Sequence, residues 1–199
     1  MTTSHERFTL CIALFDAANA EDPNQEDGLP KELLYARRMT DMIGRFAPQA
    51  GEVAQLAVRA QHIRRWTVPR SNYPLGKPGY FAWRTGLYRF HAETAGELMR
   101  QAGYDEAIIA QVMAAVGKEG IKTNPDTQLL EDVSSLVFIE HYMQGFAGQH
   151  ADYSEDKWLG IIRKTWKKMS EAARAFATSG GIKLPEALLP LITKALADA

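Results

Sequence analysis

Two histidines, a pair of adjacent acids and a run of arginines are the side chains of this sequence best suited to chemistry. His62 and His91 stand near the two ends of Val53–Ala92, a forty-residue stretch with no Asp or Glu. Glu131 and Asp132 interrupt an apolar helical run, with Leu129 and Leu130 before them and Val133 after. An unpaired carboxylate is costly to bury, so an acid in such a run lies on a wet face or beside a metal or an arginine. Consecutive helical residues are about 100° apart, so at most one of the two points inward, and Asp132 is the expected one. Two histidines and a carboxylate are a recurrent ligand set for zinc, iron and manganese. If His62, His91 and Asp132 converge on a divalent metal, an open position could activate water or polarise a phosphoryl oxygen. Glu93 and Glu131 are then the candidate catalytic acids, assisting water or transferring protons. The spacing follows no metal motif, however, and each histidine reads equally well as a hydrogen-bonded core residue.

The stretch between the histidines is the second signal. It carries Arg59, Arg64, Arg65, Arg70, Lys77, Arg84 and Arg89, interleaved with Trp66, Tyr73, Tyr80, Phe81, Trp83, Tyr88 and Phe90. The whole chain has 23 Lys+Arg and 24 Asp+Glu, so the remainder is acidic. A local cationic, aromatic surface on an acidic protein is the footprint of an anion site, most often one for phosphate. Arg64, Arg65, Arg70, Lys77, Arg84 and Arg89 are the candidate phosphate ligands, since guanidinium forks hold phosphate bidentately at roughly 1.5–3 kcal/mol per charge-assisted bond. The expected ligand is a small phosphorylated molecule or nucleotide. RNA is the other ligand that phosphate contacts and stacking would serve, and an acidic protein partner would use the same charges. GKPG is not a P-loop, because G-x-x-x-x-G-K-[ST] is absent.

These side chains need a scaffold. The 199 residues fit one domain, or one with an appended helix pair from about residue 154. Apolar spacing predicts helices over Arg7–Ala20, Pro30–Phe46, Gly51–Trp66, Tyr80–Ala102, Glu106–Val116, Asp126–Phe146 and from Ser154 onward. A last short helix follows the Gly180-Gly181 break. TVPRSNYPLGKPGY, between the third and fourth helices, cannot continue a helix and reads as an irregular basic loop. No alternating pattern is present, so the fold class is all-α. His5 reads as terminal disorder, and the acidic NAEDPNQED segment as a loop. Cys11, alone and flanked by apolar residues, excludes a disulfide or thiolate cluster within the chain. No run approaches the roughly 18 apolar residues of a membrane span, and the N-terminus is too quickly polar for a signal peptide, so a cytoplasmic protein without a membrane partner is expected. A net charge of −1 argues against wholesale coating of nucleic acid.

QHIRRW, PRSNYPLGKPGYFAWR, FHAETAGELM and LEDVSSLVFIEHY together resemble an uncharacterised family of domains of unknown function, some of whose members carry the label "glutamyl-tRNA synthetase". The resemblance runs from ALFDAANAEDPN through RKTWKKMS. A more distant likeness is to the HD superfamily of helical, metal-dependent phosphohydrolases. It implies an HD-like fold, a divalent metal and hydrolysis of a phosphoester. In that likeness AVRAQHIRRW stands at the His-Asp doublet, FHAETAGELM at a histidine-bearing helix and LLEDVSSL at the distal Asp. The sequence departs from it at Gln61-His62 (or His62-Ile63), where the doublet is not matched, and at Tyr35, where a histidine is expected. His62-Ile63-Arg64-Arg65 and Lys168-Met169-Ser170-Glu171 faintly match the signature motifs of class I aminoacyl-tRNA synthetases. Those motifs work on a parallel sheet that a helical chain cannot supply, so a synthetase is not expected.

Overall fold

The computed structural model describes residues 3–197, and over these the chain is an all-α domain. In chain order the helices are α1 (Ser4–Ala20), α2 (Lys31–Phe46), α3 (Glu52–Ala60), α4 (Gly76–Gln101), α5 (Glu106–Val116), α6 (Pro125–Val137), α7 (Met143–Gln149), α8 (Glu155–Lys168), α9 (Glu171–Thr178) and α10 (Leu189–Ala197). Short α3 is the hub. Ala54, Leu56, Ala57, Val58, Arg59 and Ala60 are all buried, and the helix packs against α1, α2, α4, α5 and α6. Its small residues let those neighbours approach closely. One apolar core continues from Cys11 and Phe15 through Leu130 and Leu136 to Ile162, Ala173 and Ile192, so α8–α10 share it.

Several boundaries differ from the sequence reading, each for a local reason. The first helix begins at Ser4 because Thr3 caps it: its hydroxyl accepts from Glu6 N–H while the Glu6 carboxylate accepts from Thr3 N–H. His5 is therefore helical and exposed, not disordered. The third helix stops at Ala60, six residues before Trp66. Beyond it Arg64 takes a left-handed backbone with φ 50°, and Asn19 Oδ1 accepts its N–H at 3.1 Å. Tight turns then run to Asn72.

Helix α4 begins at Gly76, inside the segment read as loop. Pro78 falls in its first turn, where a missing N–H costs nothing. The loop folds back on that turn so closely that a Cβ on Gly79 would lie 1.9 Å from the Pro74 carbonyl oxygen. Two breaks went unread. A π-helical turn, Phe138–Tyr142, separates α6 from α7, and Met169-Ser170 separates α8 from α9. The acidic segment closes as a two-residue antiparallel ladder, β1 (Gln25–Glu26) with β2 (Leu29–Pro30). At the tail a turn of 3-10 helix, Glu186–Leu188, precedes α10, and residues 198–199 of the expected last helix lie outside the described residues. No helix among the described residues is long and apolar enough to cross a membrane.

One arginine of the acid-free stretch is committed to this framework. Arg59 is buried and grips Asp16 through Nε at 2.7 Å and Nη2 at 2.6 Å, with Thr40 Oγ1 at 2.9 Å from Nη1. Removing it strands a partly buried carboxylate. Arg59→Ala should lower unfolding free energy by about 3 kcal/mol in urea denaturation; a change below about 1 kcal/mol would show the pair to be dispensable.

Candidate functional site

Helices α2, α4, α6 and α8 and the turn after α3 enclose a cleft of about 920 Å³, within the size range of small-molecule sites. It opens onto a smaller recess of about 180 Å³ through shared lining residues, among them His62, Arg65, Arg84, Glu131 and Ser134. The early stop of α3 is what turns His62 and Arg65 toward this space.

The electrostatic centre is Glu131, buried on α6. Its Oε2 lies 3.1 Å from Lys118 Nζ and its Oε1 3.4 Å from Lys168 Nζ. Burial alone would raise the Glu131 pKa, but the two ammonium groups outweigh it and hold the carboxyl below its usual range. Lys118 comes from the turn after α5 with a left-handed backbone, φ 62°, and only 6 % of its side chain is exposed. Burial drives its pKa down and Glu131 partly restores it; its Nζ makes no well-aligned hydrogen bond. Arg84 reaches in from α4, its Nε 2.5 Å from Tyr88 Oη and its Nη1 3.3 Å from Tyr80 Oη. Arg65 stacks over Trp83, 5.1 Å from the ring centre, with Glu32 Oε1 3.8 Å away.

His62 is sandwiched with Tyr35, the ring centres 4.1 Å apart and the planes within 14°. Its Nδ1 lies 3.3 Å from Glu32 Oε2, and among the described residues no hydrogen bond engages Nε2. Burial lowers its pKa, partly offset by Glu32, so the ring is neutral at pH 7. His91, 5.9 Å from His62 between ring centres, donates from Nδ1 to the Ile63 carbonyl at 2.8 Å. Its pKa is pushed down to about 3, first by burial and then by the neighbouring His62. The outer wall of the cleft is aromatic: Tyr35, Phe81, Phe138, Tyr142 and Phe146. The π-helical turn, in which Met143 N–H bonds to the Phe138 carbonyl, supplies two of these rings. Such turns recur at functional sites.

The expected site residues divide. Arg65, Arg84, His62, His91 and Glu131 come together in the recess. Asp132 does not: it is buried as expected, but so is Glu131, and it is Glu131 that lines the recess. Asp132 Oδ1 accepts from Ser170 N–H at 2.7 Å and from Gln128 Nε2 at 3.0 Å, pinning the break between α8 and α9. Arg64 turns away to Glu21 at 3.3 Å. Arg70 is spent on the loop itself, donating to the carbonyls of Tyr73 and Pro74 at 2.9 and 2.8 Å. Arg89 and Glu93 pair with each other at 4.0 Å on the exposed face of α4, so Glu93 is not placed to act on a ligand in the cleft. Lys77 is exposed in the first turn of α4 and lines neither cavity. Lys118, Lys168 and Glu32 were missed. Nothing in GKEG marks a lysine as buried, the half-exposed Lys168 of KKMS looks like an ordinary surface lysine, and Glu32 looks like an ordinary first-turn helix acid.

A bound metal needs three or more donors aimed at one point. Here His91 is held by a carbonyl, His62 faces Glu32, and Asp132 serves a backbone amide. Among the described residues no group of three or more His, Cys, Asp or Glu is placed to hold a metal ion. The residues present do not fit the His62–His91–Asp132 centre.

The depressed His91 pKa has a testable consequence. Between the ordinary value of 6.5 and about 3 the unfolded chain binds a proton that the folded protein refuses. Its contribution is therefore complete above pH 6.5 and is lost progressively as pH falls toward 3, at up to about 1.4 kcal/mol per pH unit. His91→Gln should flatten that slope in denaturation measured from pH 7 to 4. Titration of the His91 ring near pH 6 by NMR would contradict its burial.

No curated protein and no solved structure matches this chain. A family model described as a domain of unknown function, DUF4202, matches residues 9–192. That span includes every residue of the cleft and the recess, and the chain belongs to this family.

Proposed function

We propose that the cleft binds a small phosphorylated molecule of nucleotide type, with phosphate among Arg65, Arg84, Lys118 and Lys168 and the organic part against the aromatic wall. The observation that carries this reading is the grouping of four cations, Arg65, Arg84, Lys118 and Lys168, around two buried carboxylates, Glu131 and Glu32. The two carboxylates neutralise only part of that charge, and an anion would relieve the remaining repulsion. The apolar rings and few convergent polar groups are the usual make-up of a small-molecule site. A cytoplasmic setting, expected from the sequence, is consistent with such a ligand.

Hydrolysis of the bound phosphoester is a second reading, favoured by His62. With Glu32 at Nδ1 and Tyr35 stacked on the ring, the neutral imidazole presents Nε2 as a base. Water would attack phosphorus, His62 would take its proton, and the P–O bond would break with its electron pair leaving on oxygen. Arg65, Arg84 and Lys118 would hold the charge that develops.

Nucleotides and sugar phosphates should raise the melting temperature of the protein where their unphosphorylated parents do not. Arg84→Gln should weaken binding about 10- to 100-fold, the worth of one charge-assisted contact. His62→Asn should abolish any turnover while leaving binding within about threefold. Absence of stabilisation by every phosphorylated compound would sink the reading. Binding of RNA alone, lost steeply with added salt, would move it to single strands.

A further inference from the structure

The recess behind the cleft is small, cationic and ends on Lys118. Its volume of about 180 Å³ is below the roughly 300 Å³ at which drug-sized pockets begin, yet ample for a phosphate group and its waters. Three cations line it, Arg65, Arg84 and Lys118, against one carboxylate, Glu131. Both histidines there are neutral, so the lining carries two net positive charges. Lys118 is the most telling residue. Its side chain is more than nine-tenths buried, its Nζ is ion-paired with Glu131 at 3.1 Å but makes no aligned hydrogen bond among the described residues, and its backbone is left-handed. A buried ammonium with unspent donors, on a backbone that most side chains avoid, marks a ligand contact.

We propose that the recess is the seat of a terminal, dianionic phosphate, with Lys118 as its innermost ligand. The inference rests on the reading of the cleft as a phosphate site and narrows it. A monoester or terminal phosphate carries close to two negative charges at pH 7.5, since its second ionisation lies near pH 6. That matches the two net positive charges of the lining. An internal phosphodiester carries one charge and substituents on both sides, so it neither balances the recess nor fits a pocket of this size. The substrate class is thus phosphate monoesters or the ends of nucleoside polyphosphates, and the rest of the molecule lies in the aromatic cleft.

The test compares ligands that differ only in this respect. Calorimetry would use inorganic phosphate, the 5′-monophosphates of adenosine and guanosine, and the 3′,5′-cyclic monophosphates of the same nucleosides. Wild-type protein should bind the 5′-monophosphates at least tenfold more tightly than the cyclic forms, with inorganic phosphate competing. Lys118→Gly should erase that preference. Glycine accepts φ 62° freely, but the variant leaves buried Glu131 to Lys168 alone, so thermal denaturation would establish that it folds before it is read; Arg84→Gln, which leaves the Glu131 pairs intact, should narrow the same preference by an independent route. Equal binding of cyclic and open forms, or wild-type selectivity in both variants, would overturn the recess while leaving nucleotide binding intact. Lys118-dependent binding of inorganic phosphate without any nucleotide binding would support the recess and refute the nucleotide reading. A 5′-phosphorylated RNA trimer binding like the monophosphates would support the same chemistry with a strand end as its source. Equal binding of the unphosphorylated trimer would overturn it.

Discussion

A single ionised carboxylate buried under an excess of positive charge is the constraint around which this domain is arranged. Glu131 sits on α6 in the core of the bundle and is stable there because Lys118 and Lys168 stand within 3.1 and 3.4 Å. Burying such a charge unpaired would cost several kcal/mol even after relaxation. The pairing joins three distant parts of the chain: the turn after α5, the middle of α6 and the last residue of α8. Its neighbours are affected too: burial first, with Lys118 and Arg65 adding to it, favours neutral His62 and His91. The same triad that closes the bundle thus leaves a surplus of positive charge facing a cavity.

Much of the scaffold was legible in the sequence, because apolar spacing and capping residues report local structure directly. The Glu106–Val116 helix is capped by Asp105, whose side chain accepts from Ile108 N–H at 3.0 Å, and its limits coincide with those expected. The errors lie where tertiary contacts overrule local preference. Arg64 enters a left-handed turn because Asn19 receives its amide. The helix around Met169 breaks because Asp132 offers a better partner to Ser170 N–H than the preceding turn does. Neither contact has any signature within a window of neighbouring residues.

The candidate site was legible by region and less so by residue. The acid-free stretch does border the cleft, but its lack of acids is a property of the chain rather than of space. Asp16 answers Arg59, Glu21 answers Arg64 and Glu32 stands near Arg65, all from α1, its C-terminal cap and α2. Arg65 and Arg84 keep a face on the cavity, whereas Arg64, Arg70 and Arg89 are used elsewhere. The inward acid could not be chosen from helical phase alone, because Glu131 and Asp132 are both buried and differ only in what each meets. Lys118 was hidden for a different reason: a lysine between glycines looks like a solvated turn, and only the fold carries it inside.

The π-helical turn at Phe138–Tyr142 has a consequence of its own. An extra residue within one helical turn shifts the phase of everything after it by about 100°. Phe138 and Tyr142, four residues apart, share a face in any case; the shift lets Phe146, beyond the turn, join them at the cleft, while Glu140 meets Arg45 at 2.5 Å and the amide of Lys183 at 3.0 Å. Which rings form the wall, and which acid anchors the C-terminal helices, is decided by the count of residues in this turn as much as by their identity. A one-residue deletion here would alter the cavity as deeply as replacing the rings themselves.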